Sequence, residues 1–218
     1  MAPVFVTGGT GYLGRPLIAA LLARGDDVHA LVRRGSESRL PAGVHPIVGD
    51  ALDESTFAWA IPGGATVVHL VGTPHPNPSK AAEFQRVDLG SIRATTDAAR
   101  RAGARHLVYV SVAHPAPVMH AYIAARTEGE ALVRSTMIPS TILRPWYVLG
   151  PGHYWPYLLV PFYAVLRRVP KTRDTAIRLG LVTRREMVAA LLHAVVNPAA
   201  SGTRIVEVPQ IQRLGRES

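Results

Sequence analysis

The sequence predicts an α/β chain with a doubly wound parallel sheet and a small lobe inserted near its C-terminal end. Three observations predict it. Apolar runs of strand length alternate with helical periodicity along most of the chain. Gly8, Gly11 and Gly14 stand where the first strand gives way to the first helix. The rhythm breaks once, over residues 146–182, where Pro, Gly and aromatic residues replace it.

Pro3–Thr7 reads as a short buried strand. Leu13, Leu17, Ile18, Leu21 and Leu22 then recur at helical spacing until Gly25. A second strand spans Asp27–Arg33 and a third His45–Val48, leading into Gly49-Asp50. Ala65–Val71 is a fourth strand. Ser79 is placed to cap a long helix that runs to Gly103, and His106–Ser111 is the fifth strand. The spacing predicts a helix over Ala116–Thr136, a sixth strand over Ser140–Leu143, a helix over Arg184–Val196 and a last strand over Arg204–Val208. Strands joined in this way pair in parallel through right-handed crossovers, with helices on both faces of the sheet.

A length of 218 residues suits one domain, 1–218, with the lobe inserted before the last helix and strand. The formal charge of +9 comes mostly from Arg, dispersed as singles and pairs from Arg15 to Arg216. Without a basic run, this pattern argues against a dedicated nucleic-acid surface. The absence of Cys excludes disulfides, thiolate metal sites and cysteine nucleophiles. His69, His75, His114, His120 and His153 lack metal-ligand spacing, so no metal is expected. His114 and His120 flank the expected site and are candidate proton donors. The chain enters its first strand without a leader-like segment, and the apolar stretch Tyr154–Leu166 is broken by Pro156 and Pro161. A cytoplasmic protein is expected.

Thr7-Gly8-Gly9-Thr10-Gly11-Tyr12-Leu13-Gly14 is a glycine loop in strand-turn-helix context, the arrangement that cradles the pyrophosphate of a dinucleotide in a Rossmann-type sheet. Gly8 permits the tight turn, Gly11 lets the backbone approach the phosphates, and Gly14 permits close packing. Unpaired N–H groups at the helix start face the anion. After the second strand, where an acidic residue would hold the ribose hydroxyls of NAD(H), the chain has Arg33 and Arg34. A guanidinium there suits a 2′-phosphate, so NADP(H) is the favoured cofactor and NAD(H) the alternative. Asp50 is placed to meet the adenine amino group, with Ala51 beside it. Val71-Gly72-Thr73 should pass under the cofactor.

The glycine loop, Gly49-Asp50, Leu107-Val108-Tyr109-Val110-Ser111 and Leu143-Arg144-Pro145 resemble the short-chain dehydrogenase/reductase superfamily. The resemblance is closest to its atypical members, the NAD(P)H-binding proteins similar to NmrA and to the accessory subunit of respiratory complex I. It implies a site in which Ser111 holds a substrate oxygen and Tyr122 exchanges a proton with it, with Pro145 near the cofactor. The lysine of the family's Y-x-x-x-K pair is replaced by Arg126. An arginine keeps the charge and can hydrogen-bond a ribose, but it does not give up a proton. Glu130, one turn further along, is placed to pair with Arg126.

The resemblance implies an NADP(H)-dependent oxidoreductase acting on a small carbonyl or quinone-like compound. Arg126 keeps open a second reading, a dinucleotide-binding sensor or assembly subunit without turnover. A third is a sugar-nucleotide epimerase or dehydratase. Half of the chain's aromatic residues lie in Trp146–Tyr163: Trp146, Tyr147, Tyr154, Trp155, Tyr157, Phe162 and Tyr163. They suit an apolar or aromatic substrate, a subunit contact, a membrane surface with Arg167 and Arg168 at the headgroups, or plain packing of the lobe. The oligomeric state is left open.

Overall fold

The structure is a computed structural model that describes residues 2–151 and 170–217. The chain runs β1 (Val4–Thr7), α1 (Gly14–Ala23), β2 (Val28–Val32), β3 (His45–Val48) and β4 (Thr66–His69). A helical rod in three parts follows: α2 (Ala81–Glu83), a π-helical stretch (Phe84–Leu89) and α3 (Gly90–Arg101). Then come β5 (His106–Val110), α4 (His120–Ser135), β6 (Ser140–Arg144), β7 (Tyr147–Leu149), α5 (Pro170–Arg178), β8 (Leu181–Thr183), α6 (Arg184–Val196), β9 (Thr203–Glu207) and α7 (Val208–Leu214).

Seven strands pair in parallel in the order β3-β2-β1-β4-β5-β6-β9, the doubly wound arrangement expected. The inner strands are apolar on both faces because helices cover both. Val4, Val6, Val68, Val108 and Leu143 meet α1, α6 and α7 through Leu17, Ile18, Leu21, Met187, Leu191 and Ile211. Their neighbours Phe5, Val67, Leu107, Tyr109 and Ile142 point the other way, onto Phe57, Ile92, Ala98 and Val133. This period-two alternation within continuous apolar runs puts two separate cores on one sheet. At one rim, β3 is mostly exposed and places Pro46 opposite Ala30 of β2.

Several expected boundaries shift, each for a local reason. Ser79 does not cap the long rod: it lies in a 3-10 turn, Pro78–Lys80, that leads into the rod and is capped by Asn77, whose side chain accepts from the Ser79 N–H at 3.1 Å. The helix expected from Ala116 starts at His120, preceded by the left-handed Met119, because Pro115 and Pro117 keep the approach extended. The last strand ends at Glu207, and Val208 opens α7, where Glu207 and Gln210 form a capping box. The stretch 146–182 carries regular structure in its described parts: β7 and β8 form a two-stranded parallel ribbon, and α5 lies between them in the chain. His153, Tyr154, Trp155, Tyr157, Phe162, Tyr163, Arg167 and Arg168 lie outside the described residues.

Candidate functional site

β1 lies between β2 and β4, so the winding of the sheet reverses beside it, and a crevice opens at the carboxyl ends of these strands. The crevice measures about 1050 Å³. Gly8, Thr10 and Gly11 form its floor, Arg33, Arg34, Asp50 and Ala51 its outer end, and Val71 and Gly72 its opposite wall.

Each glycine of the loop has a separate steric duty. Gly8 has φ +76°, and a Cβ there would lie 2.9 Å from the Leu70 carbonyl carbon. The loop therefore sits directly against the chain leaving β4. A Cβ on Gly14 would meet the Gly8 oxygen at 2.3 Å and Gly9 Cα at 2.7 Å, so the third glycine lets α1 rest on the loop. A Cβ on Gly11 would touch only the Gly8 oxygen, at 3.1 Å, which leaves its surface for a ligand. Leu13 caps α1 without a side-chain hydrogen bond, the condition under which helix-start N–H groups serve an anion. Tyr12 turns toward the start of α6, where Arg184 lies over its ring at 5.3 Å. Thr7 turns its hydroxyl into the core, 2.9 Å from His69 Nδ1.

At the outer end, Asp50 accepts from the Leu52 N–H at 2.9 Å. Arg33 and Arg34 are exposed on the crevice wall together with Arg39 and Arg86, and none of the four forms an ion pair among the described residues. Sequence reasoning missed Arg39 and Arg86, because nothing local distinguishes them from solvated surface arginines. The uncapped helix start, the two glycines of the floor and the unpaired cations fit a dinucleotide.

At the inner end the chain departs from expectation. Arg126 does not pair with Glu130. It is buried and meets Asp88, Nη2 to Oδ1 at 2.6 Å, while Nη1 donates to the Val110 carbonyl at 2.9 Å. Asp88 accepts from the Thr73 N–H at 3.1 Å and from its hydroxyl at 2.6 Å. Nothing in the local sequence marked Asp88 as the partner. The guanidinium lies over Tyr122 at 5.3 Å and Tyr109 at 5.9 Å, and Phe84 packs against Tyr122 at 5.0 Å. A Cβ on Gly72 would lie 2.1 Å from Arg126 Nη2, so the guanidinium abuts the crevice wall. Burial opposes the charge of Arg126, but the Tyr122, Tyr109 and Asp88 oxygens outweigh it and hold its pKa above the ordinary value. Burial pushes Tyr109 up to about 12 against the opposing pull of Arg126. Burial, aided by Arg126, pushes His69 down to about 3.

Glu130 serves β6 instead. Arg144 grips it with Nε at 2.8 Å and Nη2 at 2.5 Å, Arg134 adds a bond at 2.8 Å, and His114 lies 3.5 Å away. Burial opposes ionisation of this carboxyl, but Arg144, with help from Ser111 and Arg134, holds its pKa below the usual range. Ser111 Oγ is buried beside it without a well-formed hydrogen bond among the described residues. The Pro145 carbonyl accepts from the Ala113 N–H at 2.8 Å, tying the chain after β6 to the chain after β5. Among the described residues no cluster of His, Asp and Glu suits a metal ion, and no helix is long and apolar enough to cross a membrane.

A parallel sheet with this crevice and glycine loop defines a dinucleotide-binding protein of the Rossmann type. The chain matches the family model described as NAD(P)H-binding over residues 8–153. It belongs to that NAD(P)H-binding family, and it shares its fold with short-chain dehydrogenase/reductase and sugar-nucleotide epimerase structures. It is 32% identical over 158 residues to a ceramide reductase of Caulobacter vibrioides, covering 68% of this chain and 47% of the relative. It is 33% identical over 175 residues to a 3-diazoavenalumate denitrifying reductase of a Streptomyces species, covering 68% and 57%. The chain thus spans about half the length of these relatives. A crystal structure of a short-chain dehydrogenase/reductase superfamily protein from Agrobacterium tumefaciens, with NAD bound, superposes with a TM-score of 0.69 at 22% identity, covering 94% of this chain and 77% of that one. The family's cofactor is a nicotinamide dinucleotide.

Proposed function

We propose that the chain is an NADP(H)-dependent oxidoreductase acting on a small carbonyl or quinone-like substrate, with residues 146–182 on the substrate side. The observation that carries this reading is the contact of Arg126 with both Gly72 and Tyr122, which links the candidate acid to the crevice wall. A bound nicotinamide would supply or accept the hydride. Gly8, Gly11 and the start of α1 would hold the pyrophosphate, and Arg33 and Arg34 the 2′-phosphate. Tyr122 gives its phenolic proton to the substrate oxygen, and the Arg126 cation against its ring stabilises the negative charge left behind. Ser111, whose hydroxyl has no well-formed bond among the described residues, donates to the same oxygen.

The test follows NADPH absorbance over a panel of quinones and small carbonyls. Turnover that Tyr122→Phe strongly reduces supports the reading, and undiminished turnover in that variant removes Tyr122 from the reaction. The engagement of Arg126 by Asp88 favours a second reading, a dinucleotide-binding sensor or assembly subunit. It predicts cofactor binding without turnover and a partner whose affinity changes with the cofactor. Partner binding indifferent to the cofactor counts against it.

A further inference from the structure

Three segments meet at one buried ion pair. Thr73, in the loop leaving β4, donates to Asp88 through both its N–H and its hydroxyl. Asp88 and Phe84 lie in the π-helical stretch, whose widened turn faces α4 with the carboxylate on Arg126 and the Phe84 ring on Tyr122. Arg126 fills the space that a side chain at Gly72 would need and closes the set with its bond to Val110. Nη1 and Nη2 thus each serve a protein acceptor at this junction.

We propose that Asp88 and Arg126 act as one positioning unit that sets the Val71–Thr73 loop under the dinucleotide and the attitude of the Tyr122 ring. The Tyr122 half rests on the function proposed above; the loop half stands on cofactor binding alone. Arginine is required for the geometry. Lysine offers one compact charge on a flexible stem, which cannot serve Asp88 and the Val110 carbonyl in a fixed fork while covering two aromatic rings. Introducing the lysine that the Y-x-x-x-K pattern carries should therefore weaken the site.

The test uses the full chain with Arg126→Lys, Asp88→Asn and Thr73→Val. NADPH fluorescence titration reads affinity, and hydrogen exchange at the Thr73 amide reads the loop. Arg126→Lys and Asp88→Asn should each weaken NADPH binding by about tenfold and speed Thr73 exchange. Thr73→Val, followed at the same amide, should shift both readouts the same way by less. NADPH affinity in Arg126→Lys equal to the parent, or unchanged Thr73 exchange in Asp88→Asn, overturns the proposal. If the first two variants fail to fold, Thr73→Val decides: parental affinity and exchange overturn it. Neither readout needs turnover. A chain that lacks reductase activity yet shows these losses keeps the unit and loses the catalytic reading. Tyr122-dependent turnover with parental binding in Arg126→Lys does the reverse.

Discussion

Gly129 of α4 lies against Tyr109 of β5 so closely that a Cβ at position 129 would fall 2.5 Å from the phenolic oxygen. Tyr109 is fully buried between the sheet and α4, and its ring cannot swing away. Gly129→Ala should cost about 1–3 kcal/mol through overpacking. Chemical denaturation checks this, and Tyr109→Phe in the same background should recover part of the loss. A stable Gly129→Ala chain would show that the helix shifts at little cost.

The glycine loop offers a contrast between folding and binding. Gly14→Ala places a methyl group against the Gly8 oxygen and Gly9 Cα, so it should lower the thermal midpoint as well as cofactor affinity. Gly11→Ala meets one oxygen at 3.1 Å and should fold nearly as the parent does, while losing about tenfold or more in NADPH affinity. Thermal melts and fluorescence titration on the two variants separate the effects.

Arg33→Ser should weaken NADP(H) binding by about tenfold and leave NAD(H) nearly unchanged, since a charge-assisted bond to the 2′-phosphate exists only for the former. Paired titrations with the two cofactors check this. Equal loss for both would place Arg33 elsewhere on the ligand.

Two buried histidines make stability depend on pH. His69 is held down to about 3 by burial and Arg126, and His106 down to about 4 by burial, Arg204 and Arg105. Both take up protons more readily once unfolded, so their contribution is full above the ordinary histidine pKa of 6.5 and is lost as pH falls toward the folded values. Urea unfolding at pH 7.5 and pH 4.5 should differ by about 2–3 kcal/mol for each histidine. His69→Asn should flatten the curve by its share. Glu130, also held below its usual range, adds its loss only at lower pH, as its carboxyl takes a proton.

Removing Glu130 tests the other hub. Glu130→Gln leaves Arg144, which is only 15% exposed at its side chain, with Glu207 as its one carboxylate among the described residues, Nη1 to Oε1 at 3.0 Å, and should cost about 3 kcal/mol. An equilibrium denaturation curve reads this directly. A cost below about 1 kcal/mol would mean that Glu207 alone suffices for Arg144.

The parts of this fold legible in the sequence are those governed by local rules. β3 and α6 begin and end where patterning placed them, because Gly49 and Asn197 close segments of clear period. The π-helical stretch was not legible: one residue in a wide turn leaves the apolar pattern of Phe84, Leu89 and Ile92 readable as an ordinary helix. The partner of Arg126 was misread for a related reason. Spacing along α4 offers Glu130 to both Arg126 and Arg134, and tertiary contacts settle the competition: Arg144 of β6 claims Glu130, and Asp88 from another helix claims Arg126. The glycine-loop crevice was readable because the glycines act within eight residues of one another. The inner end was not, because it assembles segments dozens of residues apart.

A flat array of parallel strands has two open rims, and each is a template on which another molecule can seed a shared ladder. Here Pro46 removes a donor from the β3 rim, and on β9 Arg204 and Glu207 place charges along the other. Rim-to-rim stacking, the first step toward a fibre, thus meets a missing donor on one side and charge on the other. The residue that makes β3 look like a poor strand is one that keeps neighbouring molecules apart.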